Sequence, residues 1–408
     1  MLNVASVDQP KMSEFDEFAE ALLGQISVEI NEEKEIMQLS EKSRADMPNV
    51  RFEGIEQIIS RVFPELRQKV EQFTGMDTPN DLKIEFPELA ELKRIKANKV
   101  FSDDGSHRFV EKLFLAVAEE NAKGIAEMVN ENAAKYLVYS TYAIQYISKI
   151  STTYGDYLDS VIYINKFILS RYPQIILHRQ GPPYEARFSE INSGYMGAIK
   201  MTVLEETVHS VQGKLHQANK DAAMQVNMIN EELAKIILSL DPKTVDGISE
   251  YLQLQAVPDD FPFAKKANLF FFLNPDHFLI EQIGPDVMTF THVEIDPKIS
   301  EAIPQLADIY KRWLVPIQRH HAAFSTMEGM AAFVVENVLK DDADFQNYLA
   351  TFMGMDFSSY QVRKGMGREF TKAIHERLGR ESFRKLIKDP PNTRELKDPQ
   401  TYLERINK

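Results

Sequence analysis

The amino-acid sequence predicts a mainly α protein of the α+β class with one small β-sheet. Three observations carry this expectation. Apolar residues recur at three- and four-residue steps over long stretches, which is helical periodicity. Strand signals are confined to three short runs. The composition of the 408 residues, 44% hydrophobic and 26% charged with 17 Gly and 19 Pro, is that of a folded globular chain.

The elements follow in chain order. From Ser13 to about Phe73 the pattern is helical, with Phe15, Phe18, Ala19, Leu22 and Leu23 in helical steps. Ser13 ahead of Asp16 and Glu17 suits a helix start, because carboxylates stabilise the first turn. Gly75 to Gly105, broken by Pro79, Pro87 and an Asp103-Asp104-Gly105 turn, reads as a linker. Residues 1–100 are therefore expected to form an acidic helical N-terminal region with its linker. A second helical block runs from Arg108 to about Ile150, where Tyr136, Tyr139, Tyr142 and Tyr146 are spaced for packing. The strand runs are Ile175–His178, Ala186–Ile191 and Asn268–Leu273. The first two predict a small sheet beside a Met201–Ala218 helix. A buried helix is expected over Phe324–Glu336, with Ala331, Ala332, Val335 and Leu339 on one side and small Gly329 allowing close approach to a neighbour. Residues 356–408 read as a basic helical segment with a Pro-containing tail. Pro390, Pro391 and Pro399 predict an extended course over 389–401 that returns Tyr402 and Leu403 to the body.

Charge and residue usage exclude several classes. Residues 1–60 hold 13 acidic and 5 basic side chains, and residues 361–408 hold 13 basic and 7 acidic ones, so the two ends can dock on one another. A net charge of −14 opposes nucleic-acid binding, which needs basic surface. With no cysteine, disulfides, thiolate metal sites and cysteine nucleophiles are excluded. No apolar run is long enough for a membrane span, and Met1–Pro10 lacks the features of a secretory signal, so a cytoplasmic protein is expected. There is no phosphate loop and no Gly-x-Ser-x-Gly elbow, and Gly354, Gly365 and Gly367 read as scattered turn residues. The oligomeric state is not legible.

One segment carries chemistry, Met201-Thr-Val-Leu-Glu205-Glu206-Thr-Val-His209-Ser-Val-Gln212. On a helix, Glu205 and His209 share a face, with Glu206 adjacent. Two ligands at i and i+4 beside a carboxylate that takes a proton from water is the arrangement of a helical zinc site. A solvated helix face is the alternative. Glu328, on or near the apolar face of its helix, is costly there unless paired or metal-bound, or else it is a first-turn carboxylate. His216, seven residues past His209, reads as an ordinary histidine on the same helix face, and His320-His321 as a helix-flanking surface pair. His277 and His292 lack partner spacing.

These residues resemble the gluzincin metallopeptidases. Leu204–Gln212 is similar to their His-Glu-x-x-His-x-x-Gln helix, and Met327-Glu328-Gly329-Met330-Ala331 to their Glu-Gly-x-Ala helix. Gly367-Arg-Glu-Phe370, Pro390-Pro391-Asn-Thr393-Arg-Glu395 and Pro399-Gln-Thr-Tyr402-Leu403 resemble the closing stretch of zincin-like proteins. The resemblance implies a zincin-like catalytic domain over 101–355. It makes His209 and Glu328 metal ligands and Glu206 the general base, with Glu205 standing where the family has its first histidine. Glu231, in Asn230-Glu231-Glu232-Leu-Ala234, competes with Glu328 as third ligand. The implied ion is Zn, with Mn or Fe favoured more than usual by two carboxylates. The implied substrate is a peptide or protein, with no nucleic acid and no membrane. Two alternatives stand beside this reading, an inactive zincin-fold scaffold and, more remotely, a ferritin-like di-iron oxidoreductase using Glu206-x-x-His209.

Overall fold

Helices make up most of the chain, and their lengths follow the apolar periodicity. A computed structural model describes residues 33–100, 106–119, 121–275, 290–352 and 359–407. Ser13, the Asp103-Asp104-Gly105 turn, His277 and Gly354 lie outside these, as do the Tyr142 and Tyr146 side chains. The first half comprises α1 (described over 33–46), α2 (Ile55–Thr74), β1 (Lys83–Glu85), α3 (Leu89–Val100), α4 (His107–Ala118), α5 (Ala122–Glu131) and α6 (Ala133–Thr152). Then come β2 (Gly155–Leu158), β3 (Val161–Ile164), α7 (Lys166–Leu169), α8 (Tyr172–Gln180), α9 (Tyr184–His209) and α10 (Gly213–Ser239). The rest is α11 (Pro242–Tyr251), α12 (Pro262–Leu273), α13 (Pro297–Ala302), α14 (Leu306–Val338), α15 (Ala343–Thr351), α16 (Ser359–Leu378), α17 (Glu381–Lys388), α18 (Thr393–Lys397) and α19 (Pro399–Ile406). Among the described residues no helix is long and apolar enough to cross a membrane.

The class is as expected, but all three strand assignments are corrected. Ile175–His178 lies in α8, where Pro173 occupies the first turn and Ile175, Ile176 and Leu177 are all buried. A short apolar run cannot by itself distinguish a buried strand from a buried helix. Ala186–Ile191 belongs to α9, in which Ile191, Tyr195 and Ala198 are buried at helical steps. Asn268–Leu273 lies in α12, which Pro262 opens.

The sheet forms elsewhere, in the order β1-β3-β2, with β1 parallel and β2 antiparallel to β3. β1 and α3 occupy the expected linker. β2 and β3 form a hairpin whose turn residues Asp159 and Ser160 have φ of 49° and 66°, the left-handed pair favoured in two-residue hairpin turns. The Arg108–Ile150 block is three helices rather than one, and its Tyr136 and Tyr139 are buried as expected.

Helix α9 is central. Ile199, Val203, Leu204, Thr207 and Val208 are all fully shielded, so its C-terminal half is enclosed on most sides. It packs with α2, β3 and α14 in one core, while α4–α6, α10 and α12 share a second. A third core joins Trp313, Phe370, Ile374, Leu386, Leu396 and Tyr402. The tail packs into this third core, and it is helical rather than extended. A capping box between Asn392 and Glu395 starts α18, and Pro399 sits in the first turn of α19, where its missing N–H costs nothing.

Candidate metal centre

Three elements meet at the site. Glu205 and His209 lie on the last turns of α9, and α14 brings up Glu328 from the middle of its length. One donor atom from each lies within 4.8 Å of the others, so this buried carboxylate–histidine group can hold a metal ion. The three side chains are 14%, 8% and 11% exposed.

The imidazole is held by the chain just beyond α9. Gln212 Oε1 accepts from His209 Nδ1 at 2.8 Å, and Gln212 Nε2 donates to the Met327 carbonyl at 2.9 Å. Because the amide N–H faces a carbonyl, its oxygen faces His209. That assigns a proton to Nδ1 and makes Nε2 the nitrogen turned toward the carboxylates. Nε2 lies 3.8 Å from Glu328 Oε1. Tyr360 on α16 donates to the other oxygen of Glu328 at 2.8 Å. Burial and the neighbouring Glu328 and Glu205 charges keep that phenol protonated well above its ordinary range.

Helix α16 reaches this place because two glycines cross. A Cβ on Gly367 would stand 2.5 Å from the carbonyl carbon of Ser325, and Gly329 faces Gly367 from α14. With hydrogen at both positions the helices touch backbone to backbone, one residue from Glu328. This places Lys364 on Glu205, where its Nζ donates to Oε1 in a very short contact. Burial would raise the Glu205 carboxyl, but the Lys364 ammonium outweighs it and holds the group below the usual carboxylate value. The same pairing, with Glu328 adding to it, keeps Lys364 charged against the effect of burial.

Glu206 occupies a different environment. It is 7% exposed and lies under β2, where a Cβ on Gly155 would stand 3.2 Å from Glu206 Cγ. Burial, followed by the charges of Asp156, Glu205 and Glu328, pushes its carboxyl well above the ordinary range. Adjacent carboxylates on one helix thus differ, one ionised against a lysine and one disposed to carry a proton.

The other sequence candidates separate clearly. Glu231 lies on α10 and pairs with Lys235 at 2.7 Å, so Glu328 and not Glu231 joins the group. His216 is not on the helix of His209, because α9 ends at His209 and α10 begins at Gly213. Its ring nevertheless stands 5.6 Å from that of His209, and burial lowers it to about 4, so it is neutral. His320 and His321 are within α14, not on the surface, and Arg363 Nη1 donates to His321 Nδ1 at 2.8 Å. His292 lies on the surface, 3.4 Å from Glu294. Gly365 and Gly367 are in α16 and not in turns.

Sequence reasoning missed Lys364, Tyr360 and Gly155. Tyr360 and Lys364 are spaced i, i+4 on one helix, and Gly367, one turn on, is the small residue that lets that helix press on its neighbour. The expectation that the site belongs to residues 101–355 overlooked this contribution from the basic C-terminal segment. No model of a known family, no characterised protein and no solved structure matches this chain.

Proposed function

We propose that the chain is a metal-dependent hydrolase of the gluzincin type that cleaves peptide bonds, with zinc as its ion and Mn²⁺ or Fe²⁺ as competitors at a carboxylate-rich site. One observation carries this reading. His209 Nε2 faces the Glu328 carboxylate at 3.8 Å, too long for a hydrogen bond, with Glu205 completing the group. A ring nitrogen and a carboxylate oxygen that face each other in a buried site without bonding leave room for a cation between them. Donors about 2.0–2.1 Å from a tetrahedral ion stand roughly 3.4 Å apart, so the His209–Glu328 pair is near that spacing, and the full set, within 4.8 Å, would draw together around a divalent ion.

Such an ion, when bound, acidifies water and polarises a carbonyl. The chain's own side chains supply the rest. Glu206, outside the donor set, is in its ionised form a stronger base than an ordinary carboxylate because its carboxyl is raised, and that form accepts the proton of the attacking water and returns it to the leaving amine. Gln212 fixes the His209 tautomer, and Tyr360 orients Glu328. β2 is one of the two outer strands of its sheet and lies against α9 at Gly155, which suits it to pair with an extended peptide.

The test begins with protein purified without chelator, its metal measured by mass spectrometry and its activity read on a peptide library. One ion per chain and cleavage are expected. Glu206→Gln should keep the ion and lose on the order of 10²-fold or more of activity, whereas His209→Ala should lose the ion itself. The second reading, a metal-free scaffold, is favoured by the Lys364–Glu205 ion pair, which satisfies a buried carboxylate without any metal. It prevails if folded wild type holds no ion and cleaves nothing.

A further inference from the structure

We propose that Lys364 is a resident counter-ion that occupies Glu205 in competition with the metal, so that ammonium and divalent ion are mutually exclusive there. The inference rests on the reading of Glu205, His209 and Glu328 as a metal centre, and it adds a rule for how that centre is loaded.

The charge balance is the first ground. Glu205 and Glu328 bring two carboxylates, Lys364 returns one positive charge, and an imidazole that ligates a metal must be neutral. One ammonium leaves the group half compensated. A divalent ion compensates it fully, but only when the ammonium is gone, since both together leave buried excess positive charge. Geometry is the second ground. Nζ already sits at hydrogen-bond contact on Glu205 Oε1, so it engages the carboxylate that an ion would need. The third is an exit. The Lys364 side chain is 19% exposed, more than any of the three donors, and comes from the neighbouring helix α16. Rotation about its flexible stem takes the charge to water without moving α9 or α14.

This arrangement also accounts for a glutamate where the resembling family has a histidine. A neutral imidazole at position 205 offers nothing to an ammonium, whereas a carboxylate pairs with it. Glu205 and Lys364 thus form one unit. In the absence of metal the pair keeps the site packed, and the ion binds more weakly than its donors alone would allow.

The experiment titrates full-length protein with Zn²⁺ and Mn²⁺ by calorimetry and follows thermal melting. Lys364→Met should bind at least tenfold more tightly than wild type. Its melting temperature should fall without metal and rise further than that of wild type when metal is added. Lys364→Arg, which keeps the charge, should retain wild-type affinity. Equal affinities for wild type and Lys364→Met overturn the competition while leaving the metal centre standing. No binding by either protein, with both folded by circular dichroism, overturns the metal centre itself. A second measurement needs no variant. Saturating metal should increase labelling of Lys364 by an amine-reactive ester, read by peptide mass spectrometry, and unchanged labelling in metal-bound wild type refutes the exclusion.

Discussion

Placing α16 against α14 depends on the hydrogen at Gly367, and a pair of alanine substitutions measures that dependence. In Gly367→Ala the new Cβ stands 2.5 Å from the Ser325 carbonyl carbon. Contacts between carbons are optimal at about 3.5–4.0 Å, so the helices must part by an ångström or more. The obstacle is backbone, which cannot rotate away, and the cost lies near the upper end of the roughly 1–3 kcal/mol typical of overpacking. Against it runs a gain of about 1 kcal/mol, since alanine is the better helix former. The net expectation is a loss of about 2 kcal/mol. Gly365→Ala is the control. It lies two residues away in the same helix, and a Cβ there meets nothing within 4 Å. Only the propensity gain operates, so it should stabilise by about 0.5–1 kcal/mol. Urea unfolding read by fluorescence suits the purpose, because Trp313 is the only tryptophan and is fully buried on α14. If Gly367→Ala proves as stable as wild type, or both variants shift the midpoint upward together, the close crossing does not set the position of α16.

Two further predictions concern the supports of the site. Gln212→Leu removes the acceptor for His209 Nδ1 and should weaken metal binding about 10–100-fold, measured by competition with a fluorescent chelator; an unchanged dissociation constant would count against the assigned tautomer. Lys200 on α9 pairs with Asp342 at 2.7 Å and Asp344 at 2.8 Å, at the start of α15. Burial alone would raise the Asp342 carboxyl, but the Lys200 contact and backbone N–H donors hold it below its ordinary value. A depressed folded-state value adds stability above the unfolded carboxylate value of about 3.9, and that contribution disappears as pH falls through the folded value. Lys200→Met should therefore be less stable at pH 6 and lose less stability than wild type between pH 5 and pH 3. Parallel acid curves for the two proteins refute the assignment.

The helical character, the Glu205–His209 pairing and the burial of Glu328 were legible because each follows from a 3.6-residue period within one segment. The strands were not. Ile175–Leu177 and Phe270–Leu273 are short apolar runs buried on several sides, and burial erases the alternation that separates strand from helix. The real strands are only three or four residues long and are stabilised by one another, so none announces itself alone. The prolines at 390, 391 and 399 were read as helix breakers although two helices start among them, because the same ring that interrupts a helix also begins one. Lys364 was beyond local reading for a different reason. It reaches Glu205 only through the Gly329–Gly367 crossing, a tertiary event with no local period.

The long chain separation between the parts of the site decides what an ion can report. Gln212 and Met327, which frame the donors, are 115 positions apart, and Glu205 and Lys364 are 159 apart. In the unfolded ensemble only the Glu205–His209 pair remains local, and one carboxylate with one imidazole is a feeble chelator. Closing so long a loop to recruit Glu328 costs chain entropy that nothing yet offsets. An ion held there would therefore select the finished fold and not nucleate it. Nearly all of its binding free energy then appears as added stability, about 2.7 kcal/mol when free ion is a hundredfold above its dissociation constant. A thermal shift on adding metal thus reads native-state affinity directly, with little correction for ions held by the denatured chain.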